Sequence, residues 1–533
     1  MRLPHTLSPL LAAWCCLTFL TGLRGADWPR WCGHSDGNMV CGETGLPASF
    51  EPGHKDPKGS SISMETTENV KWVAKLGSNA FGNPTVADGR VYVGTDDLTV
   101  SEDPRFSRSK GGLLKCFDEE TGNLLWQLAT PVRKKGMHPE IHFGHQHLGV
   151  CSSPTVENDR VFIVGSAGDI LCLDVKGQAN GNDGLYQDEG RYMAGEDADP
   201  IELGPADGDI VWRYDPLDEL GVCPHDAASC SILICGDFLY LGTSNGIDGP
   251  HEKILAPKAP AIIVLNKHTG RLVAREEIGL SSRLYHAQWS SPSMGKVGGR
   301  TLIFFGGGDG KCYAFAALTE EPKETMPLEL VWSFDCLPDS YKYRDGKLIP
   351  YYEGDKRKGW STNKNDGKFV GPSQIIATPV FYKDRIYVPI GQDPAHGRGK
   401  GLLHCIGATQ TGDVTKSAGI WSYDGLDRSM STVTITDGLV YAADVAGRLH
   451  CLDAETGEVQ WVHDMKAETW GGALVADGKL FLGNKKEFVV LAAGREPKVL
   501  SEIRLGSPAY STPIAANGVL YVASQKYLWA VKK

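Results

Sequence analysis

Short runs of alternating apolar and polar residues, broken by Gly, Asp and Asn, recur along nearly the whole chain and predict β-strands with tight turns. The clearest unit runs from Thr432 to Trp461 and reads VTITDG, LVYAAD, GRLHCLDAETG and EVQWVHD. Aligning the first strand of each copy on one position gives Pro84, Pro154, Ser231, Pro292, Pro379, Val433, Ala473 and Pro513, and the last two intervals are 40 residues each. A four-stranded unit of about 40 residues is the period of a propeller blade. The eighth copy, 510–533, holds only three strands, and the missing outer strand stands at the other end as Asn69-Val70-Lys71-Trp72-Val73. Pairing the two ends closes the ring and removes an open sheet edge. The expectation is an all-β, eight-bladed β-propeller of four-stranded blades over 69–533.

Two side-chain columns follow the repeat. The outer strands carry Trp72, Trp126, Trp212, Trp332, Trp421 and Trp461, with Ala274 and Leu500 read into the same position of the other two blades. The third strands carry Cys116, Cys172, Val264, Ala314, Cys405, Cys451, Val490 and Ala530, an exchange of Cys with Ala and Val that calls for a small buried apolar group rather than a metal ligand. Glycine makes up 64 of 533 residues, about 12 %, against a usual share of about 7 %, and much of the excess sits in these turns. The net charge is −11. Short basic runs occur only at Arg133-Lys134-Lys135 and Lys356-Arg357-Lys358, so nucleic acid is not an expected partner.

Residues 1–25 read as an export signal: Arg2, an apolar stretch from Leu10 to Leu20, and small residues at Gly25-Ala26 for cleavage. Eleven apolar residues are too few to span a bilayer, and no later run approaches 18, so no transmembrane span is expected. The predicted location is periplasmic or secreted, where disulfides are permitted. Cys32 and Cys41, in a leader segment over 26–68, have the best spacing for one.

Strand order sorts the insertions. Segments 96–111, 130–149, 214–228, 244–260, 277–288, 335–375 and 391–400 all fall on one face, while 176–208 is expected on the opposite face. Loops gathered on one end of a rigid scaffold are the usual place for a binding or catalytic site. Six or seven residues before the inner strands of blades two, three and four stand His147, His225 and His286, with Asp427 and Glu468 at similar places in blades six and seven. Two readings stand side by side. The histidines are zinc or copper ligands, or a general base beside Asp226; or they are polar groups that hydrogen-bond loop backbone and water.

The turns Asp118-Glu-Glu-Thr121-Gly122-Asn-Leu-Leu-Trp126 and Asp453-Ala-Glu-Thr456-Gly457-Glu-Val-Gln-Trp461 resemble the tryptophan-docking motif of quinoprotein-like propellers. That superfamily includes alcohol dehydrogenases dependent on pyrroloquinoline quinone (PQQ) and the non-catalytic assembly scaffold BamB. The leader Ala26-Asp27-Trp28-Pro29-Arg30-Trp31, with Glu43-Thr44-Gly45-Leu46-Pro47 after it, is similar to the start of secreted PQQ-like repeat proteins of planctomycete-type bacteria. In the dehydrogenases Ca²⁺ holds PQQ with a Glu, an Asn after Tyr-x-Gly-Thr-x-Asn, and a catalytic Asp nearby. Tyr240-Leu-Gly242-Thr243-Ser-Asn245 matches the asparagine element, and Trp289 and Trp470 are placed to stack on a planar ligand. Where the Asp is expected the chain has Tyr285-His286-Ala287-Gln288-Trp289, so His286 is the candidate base; Glu140 is a loose match to the Glu, and the mature chain has no vicinal Cys pair. Because the departures touch the chemistry, the resemblance favours an exported scaffold that binds a protein or small-molecule ligand on its loop-rich face. The alternative is an oxidoreductase using PQQ with Ca²⁺, or zinc or copper, with His147, His225, Asn245 and His286 at its site.

Overall fold

The computed structural model describes residues 26–57, 59–354, 356–357 and 372–533. Eight blades of four antiparallel strands, three of them extended by a short parallel fifth strand, follow one another in chain order and form the predicted eight-bladed propeller. The inner strands are Thr85–Ala87, Thr155–Glu157, Leu233–Cys235, Ser293–Val297, Val380–Tyr382, Thr434–Thr436, Leu474–Ala476 and Ile514–Ala516. Closure occurs as the sequence implied: Val70–Lys75 pairs antiparallel with Tyr527–Val531, placing Trp72 opposite Ala530. No helix among the described residues is long and apolar enough to cross a membrane.

Within a blade the two columns face each other. Cys116 lies opposite Trp126, Cys172 opposite Trp212, Cys405 opposite Trp421 and Cys451 opposite Trp461. The third-strand positions are at most 1 % exposed. In the seventh blade the partner of Val490 is Ser501, not Leu500. Every blade carries an outer-strand bulge beside this position, and in the seventh blade Leu500 is its extra residue, 37 % exposed.

The tryptophans join neighbouring blades. Each indole N–H donates to a backbone carbonyl of the following blade: Trp72 to Glu119, Trp212 to Lys267, Trp421 to Ala454 and Trp461 to Gly494, at 2.9–3.1 Å. The Thr-Gly turns explain themselves in the same contact. Gly457 has φ +75°, and a Cβ there would stand 2.7 Å from the ring of Trp421 in the preceding blade; Gly122 is placed likewise against Trp72. Glycine is required both for the left-handed backbone and for the close approach of the indole.

The leader runs around the inner wall of the ring. Trp28 bridges Val86 of blade one, and Pro29 accepts from Val156 of blade two. Ser35 accepts from Met294, Asp36 from Phe381, and Met39 from Val475, in blades four, five and seven. Asn38 makes two 2.8 Å hydrogen bonds to the backbone of Ile435 in blade six, and Val40–Cys41 lies parallel to the inner strand of blade seven. The expected Cys32–Cys41 disulfide is not formed: both are free thiols. Cys32 is fully buried, whereas Cys41 has moved on to blade eight, where its thiol donates to the Ala515 carbonyl at 3.2 Å. The circling path separates two cysteines that spacing had paired. The predicted signal segment, 1–25, lies outside the described residues.

Segment 176–208 also departs from expectation. It climbs the outer edge toward the loop-rich face, where Asp207 holds Arg105 at 2.6 Å and Asp197 holds Lys134 at 2.8 Å. Its acidic residues find their cations among the insertions of that face.

Candidate metal centre at the channel mouth

The insertions of the loop-rich face are knitted together by short backbone bridges: Phe143 to Asp226, Pro224 to Asn245, Gly246 to Ala287, and Lys400 to Asp427. This weave carries four histidines and a carboxylate to one point. His225 comes from the loop before blade three and His286 from the loop before blade four; His251 comes from insertion 244–260, and Asp393 and His396 from insertion 391–400. Ligand atoms of His225, His251 and His286 lie within 4.8 Å of one another, as do those of His286, Asp393 and His396.

Hydrogen bonds fix which nitrogen faces the centre. Nδ1 of His225 is 2.8 Å from the Ile247 carbonyl, Nδ1 of His251 is 2.9 Å from the Gly249 carbonyl, and Nδ1 of His286 is 2.9 Å from the Asp393 carboxylate. Each partner oxygen only accepts, so each Nδ1 carries the proton and, in a neutral ring, each Nε2 carries a lone pair. The Nε2 atoms of His251 and His286 are 3.1 Å apart, and Nε2 of His225 is buried without a hydrogen-bond partner. Burial, reinforced by His286 and His251, holds the His225 pKa well below the ordinary value, which keeps that ring neutral. Lone pairs this close repel unless a cation or shared proton lies between them. Ligands about 2.0–2.1 Å from a tetrahedral zinc are about 3.3 Å apart, so the observed spacing suits a common ion.

Asp393 is the second layer. Burial opposes its charge, but hydrogen bonds from His286 and His396 outweigh that and hold its carboxyl below the usual range. A carboxylate on the far nitrogen of a ligating histidine fixes the ring and strengthens its basicity. Asp226, beside His225, is pushed the other way, to about 7, by burial and by the nearby charge of Asp393.

The cluster borders a cavity of about 580 Å³ in the channel mouth. Its walls include Phe81, Trp289, Trp470 and Tyr510, its polar lining includes Asp226, Asp393, Glu468 and Lys485, and Trp31 of the leader reaches it from below. The Trp31 indole is held by Thr378 at 2.8 Å. Trp289 lies edge-on to His286, with ring centroids 4.7 Å apart, and its N–H is taken by the Ala227 carbonyl at 3.1 Å.

The predicted site residues therefore divide. His225 and His286 come together; Trp289 and Trp470 share the adjoining cavity. His147 does not join them, for its ring lies 3.4 Å from the Lys110 carbonyl. Asn245 is fully buried with both ends of its amide engaged, accepting from Cys223 N–H and donating to Ser281 and the Ala256 carbonyl. It holds loop against loop. Glu140 is paired with Lys253 at 2.5 Å. His251, Asp393 and His396 were missed because they sit mid-insertion, outside the column that precedes the inner strands; their presence in two insertions of the same face was the available signal.

PQQ is a planar tricarboxylate, and the described residues do not fit it. The lining holds three carboxylates and one cation, Lys485, which is ion-paired with Glu468 at 3.1 Å. Nitrogen donors also suit zinc or copper rather than Ca²⁺, which takes oxygen ligands.

A family model described as outer membrane protein assembly factor BamB matches residues 58–191, 99–329, 344–472, 400–498 and 445–532. The quinohemoprotein alcohol dehydrogenase ADH IIB of Pseudomonas putida is 22 % identical over 447 residues, which is 81 % of this chain but 55 % of that protein. This chain thus spans about half the length of that relative. Among solved structures, BamB from Moraxella catarrhalis is similar with a TM-score of 0.47 at 13 % identity, over 86 % of this chain and 97 % of the other. The quinohemoprotein alcohol dehydrogenase ADHIIG of Pseudomonas putida HK5 is similar with a TM-score of 0.49 at 13 % identity, over 88 % and 76 %. The family-model match extends over most of the ring, and on it the chain belongs to the family of PQQ-like β-propellers.

Proposed function

We propose that this protein is an exported metalloenzyme that holds zinc or copper on His225, His251 and His286 and acts on a small molecule bound in the adjoining cavity. The observation that carries this reading is the set of three imidazoles whose Nδ1 atoms are all committed to oxygen acceptors and whose ligand atoms lie within 4.8 Å of one another, the Nε2 atoms of His251 and His286 at 3.1 Å. A site made only to tie loops together has no reason to bring lone pairs to 3.1 Å. This favours the metal-dependent alternative over the non-catalytic scaffold, and it recasts His286 as a ligand oriented by Asp393 rather than as a free base. A bound copper would supply one-electron chemistry, and a bound zinc would polarise a water or carbonyl. The chain's own part is to orient the rings, through Ile247, Gly249 and Asp393, and to shield the site between the woven loops.

Elemental analysis and metal titration of the purified mature protein test this. About one zinc or copper per chain is expected, with affinity falling at least 100-fold in His225→Ala and His286→Ala and unchanged in His147→Ala. Failure to take up either metal, or full retention in the double variant with intact circular dichroism, overturns the reading.

A further inference from the structure

Across the cavity from the histidines lies a second feature that the metal site does not use. The residue three places before the aligned position of each inner strand is Phe81 in blade one, Trp289 in blade four, Trp470 in blade seven and Tyr510 in blade eight, but Cys151 in blade two and Ala228 in blade three. The ring is therefore lopsided, with three aromatic groups on consecutive blades flanked by Cys151 in blade two and Met430 in blade six. Trp470 and Tyr510 stack at 3.7 Å with planes 10° apart, and Phe81 lies within 13° of both planes at 6.0 and 6.1 Å. All three are only half-buried, and all three face the cavity. Filling the core would have buried them; as placed, Trp470 and Tyr510 form a face-to-face stack with Phe81 beside it, and this apolar wall of the cavity is partly exposed.

We propose that this wall is a binding subsite for a planar aromatic molecule without negative charge. Planarity follows from three near-parallel rings, to which a flat ring adds by offset stacking. Charge selection follows from Asp393 and Glu468, with the lining cation Lys485 already paired to Glu468; an anion entering here is repelled at low dielectric. As the substrate class of the metal centre this inference rests on the proposed function. As a binding site it does not, because the wall and the ligands to the metal are different residues.

Isothermal titration with 2-naphthol, its anionic counterpart 2-naphthoate and its saturated counterpart 2-decalol tests the subsite, on the protein as purified and again after chelator treatment. Saturable binding of 2-naphthol is expected in both preparations, with the other two at least tenfold weaker. Trp470→Ala and, separately, Phe81→Leu should each weaken 2-naphthol at least tenfold, while Trp470→Phe keeps most of the stacking and loses only severalfold. Equal binding of naphthoate, absence of saturable binding, or unchanged affinity in both truncating variants overturns the subsite. Loss of naphthol binding confined to the chelated protein assigns the ligand to the metal instead of the wall and overturns it too, whereas unmeasurable metal content with naphthol binding intact counts only against the metal site.

Discussion

A histidine's neighbours decide its chemistry, and two kinds of buried histidine occur here. Those at the channel mouth have their Nδ1 atoms held by oxygen and their Nε2 atoms turned inward. His404, between blades, is instead a structural residue: its Nε2 lies 2.9 Å from the Cys336 carbonyl and its ring packs edge-on against Phe334. Burial lowers its pKa from 6.5 to about 4, with the Cys336 bond and Asp335 acting to raise it and Lys342 to lower it. A folded pKa below the unfolded one means that the unfolded chain binds the proton first. Stability from this group is complete above about pH 6.5 and is lost as the pH falls toward 4, about 3 kcal/mol in all. Urea denaturation of His404→Gln should therefore show a midpoint that declines less steeply than the parent over that interval. Equal slopes would mean that His404 is protonated in the native protein.

At the scale of the element, the repeat works through contacts between blades more than within them. The Thr-Gly turn of one blade is shaped to receive the tryptophan of the blade before. Gly438 and Gly457 have the same φ of +75°, yet a Cβ on Gly438 meets nothing within 4 Å while one on Gly457 strikes the Trp421 ring at 2.7 Å. Replacing each by Ala separates backbone strain from packing. Gly438→Ala is expected to destabilise by about 1 kcal/mol, and Gly457→Ala by a further ~1–3 kcal/mol from the forced displacement of the indole. Chemical denaturation midpoints check this, and equal losses would refute the packing account. The seventh blade shows how the same element tolerates change: Ser501 takes the tryptophan position and its hydroxyl donates to the Ala48 carbonyl of the leader at 2.5 Å.

For the molecule as a whole, two devices hold the ring. Strand Val70–Lys75 closes it at the edge, and the leader fastens it from inside by bonding to the inner strands of blades one, two, four, five, six and seven. Asn38, 7 % exposed, replaces a backbone partner for both the N–H and the carbonyl of Ile435. Asn38→Ala strands both groups in the interior and should cost about 2–4 kcal/mol. Removal of 26–43 should lower the thermal unfolding midpoint further while leaving the circular dichroism of the ring unchanged, since the closing strand is retained. An unaltered midpoint after the deletion would show that the leader contributes no stability. Trp31 belongs to the same segment, so the strap also lines the cavity from below.

Fold and site were open to reading from the sequence to different depths, for a physical reason. Strand alternation and turn glycines are local and recur around the ring, with Trp in six outer strands and Cys at the aligned position of four third strands, so the blades, their number and the closing strand could be read without coordinates. Because the loops before each inner strand return to the same rim, the meeting of His225 and His286 followed from the repeat as well. The insertions do not repeat, and no period says where His251, Asp393 and His396 end up or that His147 turns away; the backbone bridges between loops decide that. The same holds for the leader, whose course around the channel depends on edges supplied by blades hundreds of residues later, and which thereby parts Cys32 from Cys41. What recurs along the chain was determined by the sequence alone; what occurs once, and depends on distant segments meeting, was decided only by the tertiary structure.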